Sequence, residues 1–284
     1  RQDLFDGIDL SRTVGWFSSL FPVRLTPAAT PGASISAIKE QLRAIPAKGV
    51  GFGILRYLGD VDFAHELAAL AQARVTFNYL GQFDASFEQG ALFSVAAESS
   101  GQALCPEGPL GNWLSINGQV FDGRLSLDWT FSREVFQPAT IDALARDYER
   151  VLAALIAHCS SGAQGVTPSD FPLAVLSQAQ LARLPVPAAS IEDLYPLSPM
   201  QQGMLFHSLY AKEAGNYINQ LRVAVEGLDA LRLRDAWQAL LDNHEVLRSV
   251  FITDGAQPLQ VVQRRGQLPF SELDAPDHTG QAAR

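Results

Sequence analysis

The stretch Trp113-Leu114-Ser115-Ile116-Asn117-Gly118-Gln119-Val120-Phe121-Asp122-Gly123-Arg124-Leu125-Ser126-Leu127-Asp128-Trp129-Thr130-Phe131 decides the fold class. Asp122-Gly123 suits a two-residue hairpin turn, whose central positions both need positive φ. After it, Leu125, Leu127, Trp129 and Phe131 alternate with Ser126, Asp128 and Thr130, so one face of the second strand is expected to be buried. A long helix is predicted next, from about Ala139 to His158. Ile141, Leu144, Tyr148, Val151, Leu152 and Leu155 lie on one stripe of it, and Gly162 stands beyond its end. A hairpin covered by an amphipathic helix is the ending of an α/β domain.

Upstream, Ile35, Ile38, Leu42 and Ile45 recur at spacings of three and four, which predicts a one-faced helix over 34–45 stopped by Pro46. Asp62 to Gln72 reads as a second, short helix. Val75-Thr76-Phe77-Asn78-Tyr79-Leu80 reads as a strand closed by Gly81. Downstream, residues 160–193 are punctuated by Ser160-Ser161-Gly162, Pro168, Pro172, Pro185 and Pro187, and only 177–184 looks helical. Ser198-Pro199-Met200-Gln201 then signals a helix start, with Pro at the first helical position and Gln three residues after a capping Ser. A strand is expected at about 218–226, a helix at 229–247 carrying Leu233, Trp237, Leu240, Leu241 and Leu247, and a strand at 257–263. This last region reads as the opening of a domain. An incomplete sheet leaves an edge unpaired, so its amides are expected to be less protected than those of 75–158.

At roughly 150 residues per domain, 284 residues make about two domains. Hydrophobic residues at 47% and charged ones at 18% indicate globular protein and exclude disorder. A formal charge of -9 argues against nucleic acid, which needs a basic stripe. No apolar run approaches the ~18 residues of a membrane span. Cys105 and Cys159 are too few for a disulfide framework or a four-thiolate metal site, which fits a reducing cytoplasm. The chain starts at Arg1 without a methionine and stops at Arg284 in a polar stretch, so a piece of something longer is expected.

Catalytic constellations are scarce. His65, His158, His207, His244 and His278 are isolated from one another, with no metal-ligand spacing among them, and there is no Gly-x-Ser-x-Gly elbow. Gly49, Gly51 and Gly53 alternate without the strand, helix and downstream acid of a dinucleotide fingerprint; close packing is the simpler reading.

Several runs go further together. Arg12-Thr13-Val14-Gly15-Trp16-Phe17 with Phe21-Pro22, then Pro46-Ala47-Lys48-Gly49-Val50-Gly51-Phe52-Gly53, then Phe77-Asn78-Tyr79-Leu80-Gly81-Gln82 resemble three core motifs of epimerisation domains of nonribosomal peptide synthetases, in that family's order. Arg1-Gln2-Asp3-Leu4-Phe5 resembles the tail of the preceding motif, and Pro168-Ser169-Asp170-Phe171-Pro172-Leu173-Ala174 is similar to the closing segment. Tyr195-Pro196-Leu197-Ser198-Pro199-Met200-Gln201-Gln202-Gly203-Met204-Leu205-Phe206-His207 and His244-Glu245-Val246-Leu247-Arg248-Ser249-Val250-Phe251 resemble the first two motifs of a condensation domain, in the wording of the subclass that accepts a D-configured donor. One departure matters: both families hold their general base in His-His-x-x-x-Asp-Gly, and no two histidines are adjacent here.

The resemblance implies a chloramphenicol-acetyltransferase-like fold of α/β character, with α+β two-layer lobes. It assigns 1–176 to the C-terminal lobe of an epimerisation domain, 177–193 to an interdomain linker and 194–284 to the start of a condensation domain. The implied chemistry is L-to-D epimerisation of a carrier-bound aminoacyl or peptidyl thioester, then amide-bond formation with the next aminoacyl thioester. The main histidine and glutamate would lie outside these residues, so the isolated stretch is expected to be inactive. Asn78 and Tyr79 are the implied auxiliary residues, Asn78 donating to an enolate oxygen and Tyr79 positioning the thioester or relaying a proton. Trp16, Gly49, Gly51, Gly53, Ser198, Gln201, His207 and Arg248 are read as tunnel or structural motif positions, Arg248 in an ion pair. No cofactor is expected to bind directly and no metal is expected; substrates would arrive on the 4′-phosphopantetheine of carrier domains. The implied partners are those carriers, upstream adenylation and carrier domains and a downstream adenylation domain, with neither nucleic acid nor membrane. A non-catalytic carrier-interaction or scaffold module of the same fold is the alternative, and a free-standing acyltransferase is disfavoured for want of its own histidine pair.

Overall fold

The computed structural model describes residues 7, 9–15, 17–82, 98–99, 101, 105, 107–162, 165–210, 219–253, 255 and 257–273. It divides into two compact units, Arg1–Gly162 and Ala163–Arg284.

In the first unit, helix α1 (Pro31–Arg43) starts with Pro31 at its first position and the Thr30 hydroxyl accepting the Ala33 N–H at 3.4 Å. It ends at Arg43, two residues short of the expected end at Ile45 before Pro46. Two further short helices follow, α2 (Val50–Leu58) and α3 (Val61–Ala69). Helix α2 corrects the sequence reading, which saw no helix after the glycine run. Gly51 and Gly53 lie inside it, and the good helix formers Leu55, Arg56 and Leu58 offset their weak propensity.

Strands β1 (Val75–Gln82), β2 (Leu114–Phe121) and β3 (Arg124–Phe131) form one sheet in that order. β1 runs parallel to β2, and β2 pairs with β3 antiparallel from Leu114↔Phe131 to Phe121↔Arg124. The expected turn is present, with φ of 50° at Asp122 and 66° at Gly123. Helix α4 (Pro138–Ser160) covers one face of the sheet, and Gly162 takes a φ of 79° just beyond its end. Leu114, Ile116 and Ile141 are the buried centre, ringed by Leu127, Trp129, Phe131 and Phe136. Trp129 meets Tyr148 edge-on with centroids 5.9 Å apart. Burying each of those three aliphatic side chains is worth about 2 kcal/mol.

The second unit is built on an antiparallel sheet of β4 (Ile191–Pro196), β6 (Leu259–Gln263) and β5 (Ser249–Ile252), with β6 central. Its core gathers Phe171, Ala174, Leu181, Ile191, Leu194, Ile252, Leu259 and Val261, with Val166, Leu176, Leu184 and Val186 packed against them. The proline-punctuated stretch is therefore folded onto this sheet. It contains a short helix, α5 (Gln178–Leu181), started by a reciprocal Ser177–Gln180 capping box. Helices α6 (Pro199–Tyr210) and α7 (Ala230–Asn243) complete the unit.

Two expectations fail here. Residues 219–226 of the expected strand are irregular, and Leu221, Val223 and Val225 are exposed; among the described residues no strand pairs with them, and an unpaired strand is not stable in water. The helix expected to reach 247 stops at Asn243 and gives way to a 3-10 turn over Glu245–Arg248. Trp237, Leu240 and Leu247 stay exposed, and α7 is docked by Gln238, which donates to the Gly266 carbonyl at 2.9 Å and accepts from the Leu268 N–H at 3.0 Å, together with the half-buried Leu241 beside Gly266.

Candidate functional site

The strand pairings sort the first sheet into two chemically different faces. Phe77, Ile116 and Trp129 form one row across the three strands, and Tyr79, Gly118 and Leu127 the next, both on the face that α4 covers. Gly118 is a close-approach site: a Cβ there would lie 2.8 Å from Leu127 Cδ2 and 3.4 Å from Tyr79 Cδ2. On the opposite face the rows are Thr76, Ser115 and Thr130, then Asn78, Asn117 and Asp128. The Asn78 amide Nδ2 donates to Asn117 Oδ1 at 3.2 Å, and Asn112 Nδ2 donates to the Thr76 hydroxyl. Asn78 and Tyr79, adjacent in sequence, thus project from opposite faces and do not converge on one point. β1 ends in an irregularity between Tyr79 and Gln82, where Gly81 has a φ of 94°.

The glycine run serves close packing at one position only. Gly49, with a φ of 77°, closes a left-handed turn begun by Ala47 and Lys48, and the Phe21 ring lies where its Cβ would be. Gly51 and Gly53 face open space. Trp16 lies outside the described residues, as does His278. His65 is exposed on α3, and His158 sits in the last turn of α4 with its Nε2 2.9 Å from where a Gly32 Cβ would stand.

In the second unit the motif residues build structure. The Ser198 N–H donates to Gln201 Oε1 at 2.9 Å and the Gln201 N–H donates to Ser198 Oγ at 3.3 Å, a capping box that starts α6. Gln201 Nε2 then donates at 2.6 Å to Gln260 Oε1, on the buried central strand. Gln260 Nε2 in turn donates to the Tyr195 hydroxyl at 3.2 Å and to Ser249 Oγ at 3.0 Å. Burial, then the charges of Asp193 and Glu245, push the Tyr195 phenol above its usual range. His207 meets Phe206 edge-on, with centroids 5.9 Å apart. Arg248, buried, donates to Glu192 Oε2 at 2.5 Å, to the Leu241 carbonyl at 3.1 Å and to the Gln263 carbonyl. Gln260, Glu192 and Asn117 escaped the sequence reading. A Gln between Leu259 and Val261-Val262 in an apolar strand was the one legible signal, since a buried amide needs partners.

Among the described residues no three His, Cys, Asp or Glu side chains gather as a metal site, and no helix is long and apolar enough to cross a membrane. The condensation-domain family model matches residues 1–171 and 191–284. The chain belongs to the condensation-domain family. This condensation-family chain is 45% identical over 279 residues to a linear gramicidin synthase of Brevibacillus parabrevis, covering 96% of this chain and 4% of that protein. It is 35% identical over 285 residues to bacitracin synthase 3 of Bacillus licheniformis, again covering 96% of this chain and 4% of the relative. Among solved structures, the epimerization domain from the third module of tyrocidine synthetase B matches with a TM-score of 0.50 and 35% identity, over 56% of this chain and 36% of that one. The chain therefore spans a small fraction of the curated relatives it matches. It is a nonribosomal peptide synthetase segment of the condensation and epimerization type, with the chloramphenicol-acetyltransferase-like α/β fold of that family.

Proposed function

We propose that residues 1–176 are the C-terminal lobe of an epimerisation domain and 194–284 the first part of a condensation domain that accepts its D-configured product, with 177–193 between them. The carrying observation is the family match in two blocks, 1–171 and 191–284. The likeness of 56% of the chain to an epimerization domain, at 35% identity, supports an epimerisation-type block within it. The substrate is an aminoacyl or peptidyl thioester on the phosphopantetheine arm of a carrier domain, so carrier and adenylation domains of the same synthetase are its partners and the cytoplasm its compartment.

In this reading a base from outside these 284 residues removes the thioester α-proton, and the same chain elsewhere returns a proton from the other face. Asn78 lies on the polar face of its sheet and keeps a second amide N–H after donating to Asn117, so it is the group proposed to donate to the enolate oxygen. Tyr79 reaches the other face, against Gly118, so it is read as a packing residue of the sheet and not as a second group on the thioester that Asn78 serves. The downstream unit contributes structure: Ser198 and Gln201 start α6, and Arg248 ties β5 and β6 to Glu192.

The test is α-proton exchange into solvent deuterium of a carrier-bound aminoacyl thioester on the full-length native protein. Asn78→Ala is expected to slow exchange by roughly 100-fold, the effect of losing an oxyanion donor. An unchanged rate would remove Asn78 from the chemistry. No exchange in the native protein itself would favour the non-catalytic scaffold module.

A further inference from the structure

We propose that Asn117 is the positioning residue of Asn78, with Asp128, opposite it in register on the next strand, favouring the orientation it needs. The inference rests on the reading above, in which Asn78 donates to the enolate oxygen. A carboxamide presents an N–H or a carbonyl oxygen to a substrate depending on a half-turn about its last side-chain bond, and only the N–H stabilises negative charge. On an exposed strand position such as that of Asn78 nothing intrinsic selects between the two. The structure supplies a selector. Asn78 Nδ2 donates to Asn117 Oδ1 at 3.2 Å, which fixes the nitrogen edge toward β2 and leaves one N–H to aim outward.

Asn117 faces the same ambiguity, and its register resolves it. It is half-buried and sits directly between Asn78 on β1 and Asp128 on β3, all three on one face. The oxygens of a carboxylate are hydrogen-bond acceptors, so the Asn117 nitrogen is favoured on the Asp128 side and its oxygen toward Asn78. The rung thus reads acceptor, amide, amide from β3 to β1, and its polarity delivers a donor at the β1 end. The flanking rung of Thr76, Ser115 and Thr130 carries hydroxyls, which both donate and accept and so impose no such direction.

The experiment measures α-proton exchange in the full-length native protein, loaded with a carrier-bound aminoacyl thioester. Asn117→Leu removes the acceptor at similar size, and kcat is expected to fall about tenfold with KM for the loaded carrier unchanged, less than the roughly 100-fold loss from Asn78→Ala. The exchanged pair Asn117→Asp with Asp128→Asn keeps an acceptor beside Asn78 and an amide across the rung, and is expected to recover the rate to within about threefold of native. A native rate in Asn117→Leu overturns the proposal, as does an exchanged pair as slow as Asn117→Leu. If Asn78→Ala slows exchange while Asn117→Leu does not, positioning alone fails. If Asn78→Ala also leaves exchange at the native rate, the reading of the site fails with it.

Discussion

Gly49 carries a demand that no other side chain meets. Its φ of 77° lies in the left-handed region, and the Phe21 ring occupies the place of a Cβ. Ala47 and Lys48 already hold φ of 47° and 52°, each costing about 1 kcal/mol or more, so the turn has little tolerance for further strain. Gly49→Ala is expected to destabilise the first unit by about 2–4 kcal/mol, adding left-handed strain to overpacking. Gly53→Ala, inside α2 with open space at its Cβ, should stabilise by about 0.5–1 kcal/mol. Urea unfolding of both variants checks the pair, and equal effects would mean that the turn relaxes. In the double variant Phe21→Ala with Gly49→Ala, part of the cost should vanish. The glycine run was visible in the sequence, yet spacing alone could not separate the one glycine that needs to be glycine from two that do not. That distinction depends on Phe21, 28 positions upstream.

Among elements, α6 shows how a short motif becomes architecture. Its start was readable from Ser198, Pro199 and Gln201, because a capping box is a reciprocal contact between residues three apart. The hairpin at Asp122-Gly123 and the long helix α4 were readable for the same reason, their signals being contained within each element. Strands β4 and β5 were not, since their identity comes from pairing with β6, and Tyr195 belongs to a network centred on Gln260, 65 residues away. Of the polar rung proposed to serve Asn78, the sequence showed Asn78 alone; Asn117 and Asp128 join it only through strand register. The Tyr195 network carries a pH dependence. The phenol is raised above its ordinary value by burial and then by Asp193 and Glu245, so on raising pH the unfolded chain loses this proton before the folded one. Stability from this group is full below pH ~10 and is lost as pH climbs from there through the folded value. Urea midpoints measured from pH 9 upward should fall for the native chain, and the fall should be shallower in Tyr195→Phe. Equal slopes would show that Tyr195 titrates as it does in the unfolded chain.

At the scale of the whole chain, the two units bury their apolar groups unequally. In the first, Leu114, Ile116 and Ile141 form the buried cluster, while Ile54, Leu55, Tyr57, Leu58, Val61 and Phe63 of α2 and α3 remain exposed. Among the described residues β1 pairs on one side only, and it keeps Val75, Phe77 and Tyr79 about half exposed. In the second, Leu259 to Val262 of β6 are all buried and hydrogen-bonded on both sides, and Phe171, Ala174 and Leu181 seal the sheet from the preceding stretch. The sequence suggested the opposite order, because 194–284 read as an incomplete sheet and nothing local announced that 166–186 would pack on it. A proline-rich composition describes the irregular backbone well and says nothing of what its Phe and Leu side chains cover. Amide exchange follows local opening, which is rarest where both burial and two-sided pairing hold. In the 284-residue polypeptide, β6 amides are therefore expected to exchange at least about tenfold more slowly than those of β1, with β2 between them. Removing Phe171 by Phe171→Ala should cost about 3–5 kcal/mol and bring β6 toward the β1 rate, because the cavity would open beneath the central strand. Exchange in β1 as slow as in β6 would mean that the helices of the first unit cover its sheet more completely than their exposed apolar faces allow.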